Sequence, residues 1–326
     1  MKLTNEALKA LAVGAVRFKE EDGFLSFLRF TERQEAYYRD TSPGFYKKTF
    51  CTAGIRLSFE TDSDVLSFDY RFLKMSTRDY CFFDLYVDGV MVEHFGEVPC
   101  EDKSGTVSFT LPEGSHLVTL YFPNLFALQI ANFTLSDGAT FRPVKRARKL
   151  LMLGDSITQG YDAYYASQSY ANLVSDMLGM EVYNQAIGGE VFNPGVIDGD
   201  LGFTPDTVIV AYGSNDYNKR EREAMVENAN EFYRRVRETF PHAEMFAILP
   251  LWRADSHRVT KVGTFEEARE IVRAAAEAQE NVTVINSDTF IPRLTEFFRD
   301  GYLHPNDLGF RFYADGLFAA IESSRG

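Results

Sequence analysis

Four short segments in the second half of the chain carry the residue types of nucleophilic acyl chemistry. Gly154-Asp155-Ser156-Ile157-Thr158 follows the apolar run KLLML. A serine on such a strand-to-helix turn presents its hydroxyl at the carboxyl end of a sheet, where α/β proteins bind ligands. Its backbone N–H, near a helix N-terminus, can also face an anion. Residues 184–190 (NQAIGGE) contain Gly188 and Gly189, which let the backbone approach a ligand closely and leave an N–H free to donate. Gly213-Ser214-Asn215-Asp216 ends the run TVIVAY, and an amide side chain there can donate to a developing oxyanion. Residues 300–307 (DGYLHPND) precede the last helical pattern, with His304 placed as a general base for Ser156 and a carboxylate nearby to orient it. Taken singly, each has an ordinary explanation: a helix-capping serine, a glycine-rich loop, an Asx turn and a surface histidine before a proline.

As an ordered set, at predicted strand ends or helix starts, the four segments resemble the SGNH (GDSL-type) hydrolase superfamily. Its signature blocks are GDS, a glycine, GxND and DxxH, and the resemblance covers about residues 149–321. It implies Ser156 as nucleophile and His304 as base. It implies an oxyanion hole made by the N–H of Ser156, the N–H of Gly189 and the side chain of Asn215. Gly189 is preferred to Gly188 because aligning Asn184 with the family block puts the glycine at the sixth position. The acid departs from the pattern. The family places Asp three residues before His, but position 301 is Gly, and Asp300 stands four before His304. Asp300 is the implied acid. A Ser-His dyad oriented by a backbone carbonyl is the alternative, with Asp307 a weaker substitute. His257, in LWRADSH, is a rival base without a family block around it. The resemblance implies neither a metal nor an organic cofactor.

Asp155, Tyr161, Trp252 and Arg253 are assigned to the substrate pocket. Tyr161, Asp162, Tyr164 and Tyr165 directly follow the nucleophile turn, and Trp252 leaves the end of the strand MFAIL. This lone Trp either stacks on a sugar ring or packs beneath a loop.

The elements that must position these groups follow two grammars. Residues 1–146 read as a short helix near Asn5–Ala12 and then β-branched and aromatic runs. These are Phe24–Phe30, Ile55–Glu60, Val65–Phe72, Cys81–Val87, Thr106–Leu111, Leu117–Phe122 and Leu128–Leu135. LSFDYRF and HLVTLYF alternate as half-buried strands do, and Asp88-Gly89 is a two-residue hairpin signal. The prediction is an N-terminal β-sandwich of jelly-roll type.

Residues 147–326 alternate strands with helices. Strands are expected at Lys149–Leu153, Glu181–Tyr183, Thr207–Tyr212, Glu244–Leu249 and Val282–Ile285. Helices are expected near Tyr170–Leu178, Arg220–Phe240, Thr264–Gln279 and Asn306–Ile321. That pattern predicts a three-layer α/β/α domain with a parallel sheet. The boundary falls at FRPVKRARK, read as a linker.

Composition limits the functions available. The chain has 326 residues, of which 47 are acidic and 34 basic, for a formal charge of −13. So negative a surface disfavours nucleic acid and anionic membranes as partners. No run approaches the ~18 apolar residues of a membrane span, and the first 18 residues make a poor export signal, so a cytoplasmic location is expected. Three unevenly spaced cysteines suggest neither a disulfide framework nor a zinc site. With 29 Phe and 17 Tyr, core packing is favoured over sugar-stacking surfaces. A β-sandwich preceding an SGNH domain is similar to the arrangement in carbohydrate esterases, and that resemblance implies an esterase removing acetyl groups from sugars or oligosaccharides, with homo-oligomerisation left open. A lysophospholipase or thioesterase of the same superfamily, and a non-catalytic glycan-binding protein, are the alternatives.

Overall fold

A computed structural model describes residues 1–326. Helix α1 (Asn5–Leu11) starts at Thr4, whose side chain accepts from Ala7 N–H, and leads into β1 (Ala12–Val13). The hairpin β2 (Arg17–Glu21) and β3 (Phe24–Leu28) is followed by α2 (Glu32–Thr41) and α3 (Pro43–Thr49). The strands β4 (Arg56–Thr61), β5 (Val65–Lys74), β6 (Cys81–Val87), β7 (Val90–Glu97) and β8 (Lys103–Thr110) come next. Then follow β9 (His116–Tyr121), β10 (Phe126–Leu135) and β11 (Phe141–Pro143).

These strands form two antiparallel sheets. One has the order β1-β4-β9-β6-β7, with β11 also on β4; the other is β2-β3-β10-β5-β8. Alternation along β5, where Leu66, Phe68, Tyr70 and Phe72 are buried, turns one face inward. Phe27, Phe59, Phe68, Phe72, Phe83 and Phe133 all lie in the core between the sheets. Phe68 and Phe133 stack at 5.8 Å between centroids. The aromatic excess therefore goes largely into packing.

The second half holds β12 (Lys149–Gly154), β13 (Glu181–Asn184), β14 (Thr207–Ala211), β15 (Glu244–Ile248) and β16 (Val282–Ile285). They make a parallel sheet of order β13-β12-β14-β15-β16. Its helices are α4 (Ser156–Gln159), α5 (Tyr170–Met177), α6 (Ser214–Lys219), α7 (Arg222–Thr239), α8 (Phe265–Glu277) and α9 (Asp307–Arg325). Leu150, Met152 and Ile209 face a core shared with α5 and α9. Leu151, Leu153, Val208 and Val210 face the core of α7 and α8. Successive strand residues thus feed opposite helix layers. The chain runs outward from β12 to β13 and returns to β14 on the other side, which opens a crevice at the carboxyl end of β12.

Three features differ from expectation. Helices α2 and α3 were not predicted. The long helix expected from Arg220 runs as α7 from Arg222, but a short helix, α6, that was not predicted precedes it, and extended Arg220 (φ −103°, ψ 158°) separates the two. The expected linker is also no loose tether. Pro143 sits in β11 at a sheet edge, where its missing N–H is tolerated. Arg146 is pinned by its N–H to Glu181 and by its guanidinium to the carbonyls of Ser175 and Met180. The halves are further joined by Thr31 to Asp198 (2.6 Å), Gln34 to Gln185 (2.9 Å) and Tyr121 to Asp176 (2.7 Å). No helix is long and apolar enough to cross a membrane.

Candidate active site

Ser156 is the first residue of α4, directly after β12, with Asp155 as the cap: its Oδ1 accepts from Ile157 N–H at 3.0 Å. The Ser156 hydroxyl lies 2.8 Å from Nε2 of His304. Nδ1 of the same ring lies 2.6 Å from Oδ2 of Asp300. Serine, histidine and carboxylate, 148 and 4 residues apart in sequence, form one continuous hydrogen-bonded chain.

The extra residue between Asp300 and His304 is absorbed by a tight turn. Oδ1 of Asp300 accepts from the N–H groups of Tyr302 (3.0 Å), Leu303 (2.8 Å) and His304 (3.1 Å), while Gly301 takes φ +77°. A left-handed residue at that position suits glycine. Burial works to raise the Asp300 pKa, but the hydrogen bonds from His304 and from the backbone outweigh it and hold the carboxyl far below its usual range. Asp300 is thus a fixed anion beneath the imidazole.

A second carboxylate lies close. Asp162 Oδ2 is 3.7 Å from His304 Nδ1 and is almost fully buried. Arg78, from the first half, holds Asp162 in a two-pronged contact at 2.7 and 2.7 Å. Asp162, Asp300 and His304 each offer an atom within 4.8 Å of the others, as a metal site would require. Those atoms are already engaged, Asp162 by Arg78 and His304 Nδ1 by Asp300.

Two N–H groups near Ser156 are unengaged. Neither Ser156 N–H nor Gly189 N–H has an acceptor in the chain. Gly189 adopts φ +92°, and a Cβ on Gly188 would fall 2.4 Å from the Tyr161 ring, so this turn needs its glycines. The third candidate donor is less free. Asn215 Nδ2 donates to the Glu190 carbonyl at 3.0 Å and approaches Asp155 Oδ2 at 3.4 Å. The longer contact is the one able to yield to a new acceptor. Burial pushes Asp155 up to about 6, partly offset by the Ile157 N–H.

Two residues assigned to the pocket are placed otherwise. Asp155 is buried under the turn, where it caps α4 and supports Asn215. Arg253 is also buried: its guanidinium binds Asp255 at 2.5 and 3.1 Å and the Ser214 carbonyl at 3.1 Å. It braces the segment that carries Asn215. Tyr161 is buried as well and forms a wall, its ring 5.7 Å from that of His304. Trp252 is half-buried and packs edge-on against Phe298 at 5.5 Å, the looped-under arrangement. Tyr164 packs on Tyr80 and beneath Arg299, and Tyr165 stacks on His94 at 4.1 Å. His257 is exposed, and Asp307 accepts from Tyr165 N–H rather than from His304.

Sequence reasoning missed the cations that hold the glycine turn, two of them from the first half. Lys48 of α3 donates to the Gly188 carbonyl at 2.5 Å, and Lys219 of α6 donates to the Gly189 carbonyl at 2.6 Å. Fully buried Arg29 donates to the carbonyls of Cys51, Asn184 and Ala186 (2.6, 2.6 and 2.9 Å) and, at 3.1 Å, to that of Lys48. The capping box Thr31–Gln34 that starts α2 was the available sequence signal for this region.

A five-stranded parallel sheet between helix layers, with this seryl turn at its switch point, is the three-layer α/β/α architecture of the SGNH (GDSL-type) fold. Residues 152–312 match the family model for the GDSL-like lipase/acylhydrolase family, and the chain belongs to the SGNH (GDSL-type) hydrolases, as a carboxylic ester hydrolase. No curated protein matched the chain.

Solved structures share both halves of the fold. The salicylyl-acyltransferase SsfX3 from a tetracycline biosynthetic pathway has a TM-score of 0.83 and 21% identity, over 96% of this chain and 94% of that one. A family two carbohydrate esterase from Clostridium thermocellum, in complex with cellohexaose, has a TM-score of 0.69 and 16% identity over 96% and 98%. An acetyl xylan esterase, Est2A, from the rumen bacterium Butyrivibrio proteoclasticus has 0.64 and 16% over 98% and 96%. At such identities the likeness is one of fold.

Proposed function

We propose that the protein is a serine esterase that hydrolyses short-chain, chiefly acetyl, esters on sugars or oligosaccharides through an acyl-enzyme. The observation that carries this reading is the relay Ser156–His304–Asp300 beside two unengaged N–H groups. In the proposed mechanism, the Ser156 oxygen bonds to the ester carbonyl carbon while its proton passes to Nε2 of His304. The carbonyl oxygen becomes an anion held by the N–H groups of Ser156 and Gly189 and by the Asn215 amide. Asp300 balances the imidazolium. The carbon–alkoxy bond then breaks, and the alcohol leaves with the proton from His304. Water, deprotonated by His304, attacks the acyl-serine, and the acid departs as Ser156 recovers its proton.

The sugar acetate assignment is supported by the two-domain architecture, shared with the carbohydrate esterase and the acetyl xylan esterase above. The proposed division is 1–146 as a domain that shapes the rim or binds glycan and 147–326 as the catalytic domain. The test is hydrolysis of acetylated xylo-oligosaccharides and of p-nitrophenyl esters of increasing chain length, with wild type and Ser156→Ala. Ser156-dependent release of acetate, falling with chain length, is expected. A preference for C8 and longer acyl groups would replace this reading with a lipase-like or thioesterase one. Glycan binding without any hydrolysis would leave a binding protein.

A further inference from the structure

The peptide that joins Gly188 to Gly189 has a glycine on each side. Such a unit can rotate with little steric resistance, since neither flanking residue has a Cβ to restrict it. Its N–H is an oxyanion donor in the proposed mechanism, so its direction has to be held by something other than chain geometry. In a trans peptide, N–H and C=O point in opposite directions. Whatever fixes the Gly188 carbonyl therefore also aims the Gly189 N–H.

The Gly188 carbonyl is bound by the Lys48 ammonium at 2.5 Å. The flanking atoms are held too: Gly188 N–H donates to Gln159 Oε1 at 2.7 Å, and Lys219 binds the Gly189 carbonyl at 2.6 Å. Neither lysine is paired with a carboxylate among the ion pairs of the molecule. In a chain with a charge of −13, two cations converge on one glycine turn without a direct ion pair, the buried Glu190 carboxyl being the nearby opposite charge. Lys48 is half-buried, with its ammonium 5.5 Å from the Phe45 ring centre and 5.9 Å from that of Tyr161. An ammonium on the carbonyl also polarises the peptide, making its N–H a stronger donor.

We propose that Lys48, from the N-terminal half, is a positioning residue that latches the Gly188–Gly189 peptide with its N–H toward the reacting carbonyl, with Lys219 as the second clamp. This rests on the esterase reading. It gives the first half a direct part in the chemistry of the second, through a contact spanning 140 residues.

The test compares Lys48→Met and Lys219→Met with wild type, with Ser156→Ala, and with Lys47→Met, an exposed neighbour on the same helix. Three quantities are read: kcat, KM for p-nitrophenyl acetate, and the affinity of an alkyl boronic acid that forms a tetrahedral adduct on serine. Removing an oxyanion donor outright costs about 10²–10³ in kcat. A freed latch is expected to cost Lys48→Met about 10–100-fold, with KM little changed. Boronate affinity should fall in parallel, Lys48→Arg should recover part of the loss, and Lys47→Met should match wild type.

Thermal unfolding checks that the variants fold. If Lys48→Met does not fold, Lys219→Met carries the test, with a smaller loss in kcat and boronate affinity together. A folded latch variant with kcat at the wild-type level, or with reduced kcat but unchanged boronate affinity, would overturn the assignment while leaving the esterase reading intact. Wild type without Ser156-dependent hydrolysis would remove both.

Discussion

Asp300 and His304 meet at 2.6 Å although they are one residue further apart than the family pattern allows. The turn at Gly301 takes up the extra residue, and the carboxylate that accepts three successive N–H groups is the same one that faces the imidazole. This geometry favours a triad over a dyad. Asp300→Ala is expected to lower kcat by about 10³–10⁴. Asp162→Asn, at 3.7 Å and already neutralised by Arg78, should cost far less. Steady-state kinetics on both variants checks this. A loss under tenfold for Asp300→Ala would support the dyad.

Asn215 tests the oxyanion hole from the side-chain direction. Asn215→Ala is expected to reduce kcat by about 10²–10³ and leave KM nearly unchanged. Asn215→Asp should fare no better, since it replaces a donor with an acceptor beside the buried Asp155 carboxyl. Pre-steady-state kinetics would show slower acylation in both.

Two buried carboxyls give stability a pH dependence. Burial raises Asp155 to about 6 and Asp216 to about 7, against ordinary values near 3.8, with only partial relief from the N–H groups of Ile157 and Phe192. The folded state therefore holds protons that the unfolded chain has released. Stability from these groups is full below about pH 4 and falls as pH rises through 6 to 7. Asp300 acts in the opposite sense: its contribution is full above its ordinary pKa near 3.8 and is lost as pH falls below that value. Asp216→Asn is expected to flatten the decline in melting temperature between pH 5 and pH 8, as measured by calorimetry; an unchanged slope would contradict it.

Arg29 joins the halves without a carboxylate partner. Its guanidinium satisfies four carbonyls, including those of Asn184 and Ala186 below the glycine turn, and burial lowers its pKa to about 10. Arg29→Met leaves those acceptors unpaired and should destabilise the protein by about 3 kcal/mol or more. Chemical denaturation measures the loss. A loss below about 1 kcal/mol would show that water replaces the guanidinium at little cost.

The site was legible where chemistry and local pattern coincide. Ser156, Asn215 and His304 each sit where an apolar strand ends or a helix begins, and a strand end is readable from period and composition alone. Pocket walls were not legible in the same way. Arg253 follows a strand as a ligand-binding residue would, but Asp255, two positions on, draws it into a buried pair. Helix α2 is too polar, and α3, with Pro43 and Gly44, too short, to announce themselves by periodicity. Lys48 stayed hidden because its role lies in a contact with a residue 140 positions away, which no local pattern encodes.

The most direct measurement is to quench the reaction with an acetyl ester within the first turnovers and weigh the peptide carrying Ser156. The account predicts one acetyl group on that serine in wild type, a far smaller amount in His304→Ala, and none in Ser156→Ala. Acetate released with no adduct on Ser156, or by Ser156→Ala at the wild-type rate, would contradict it.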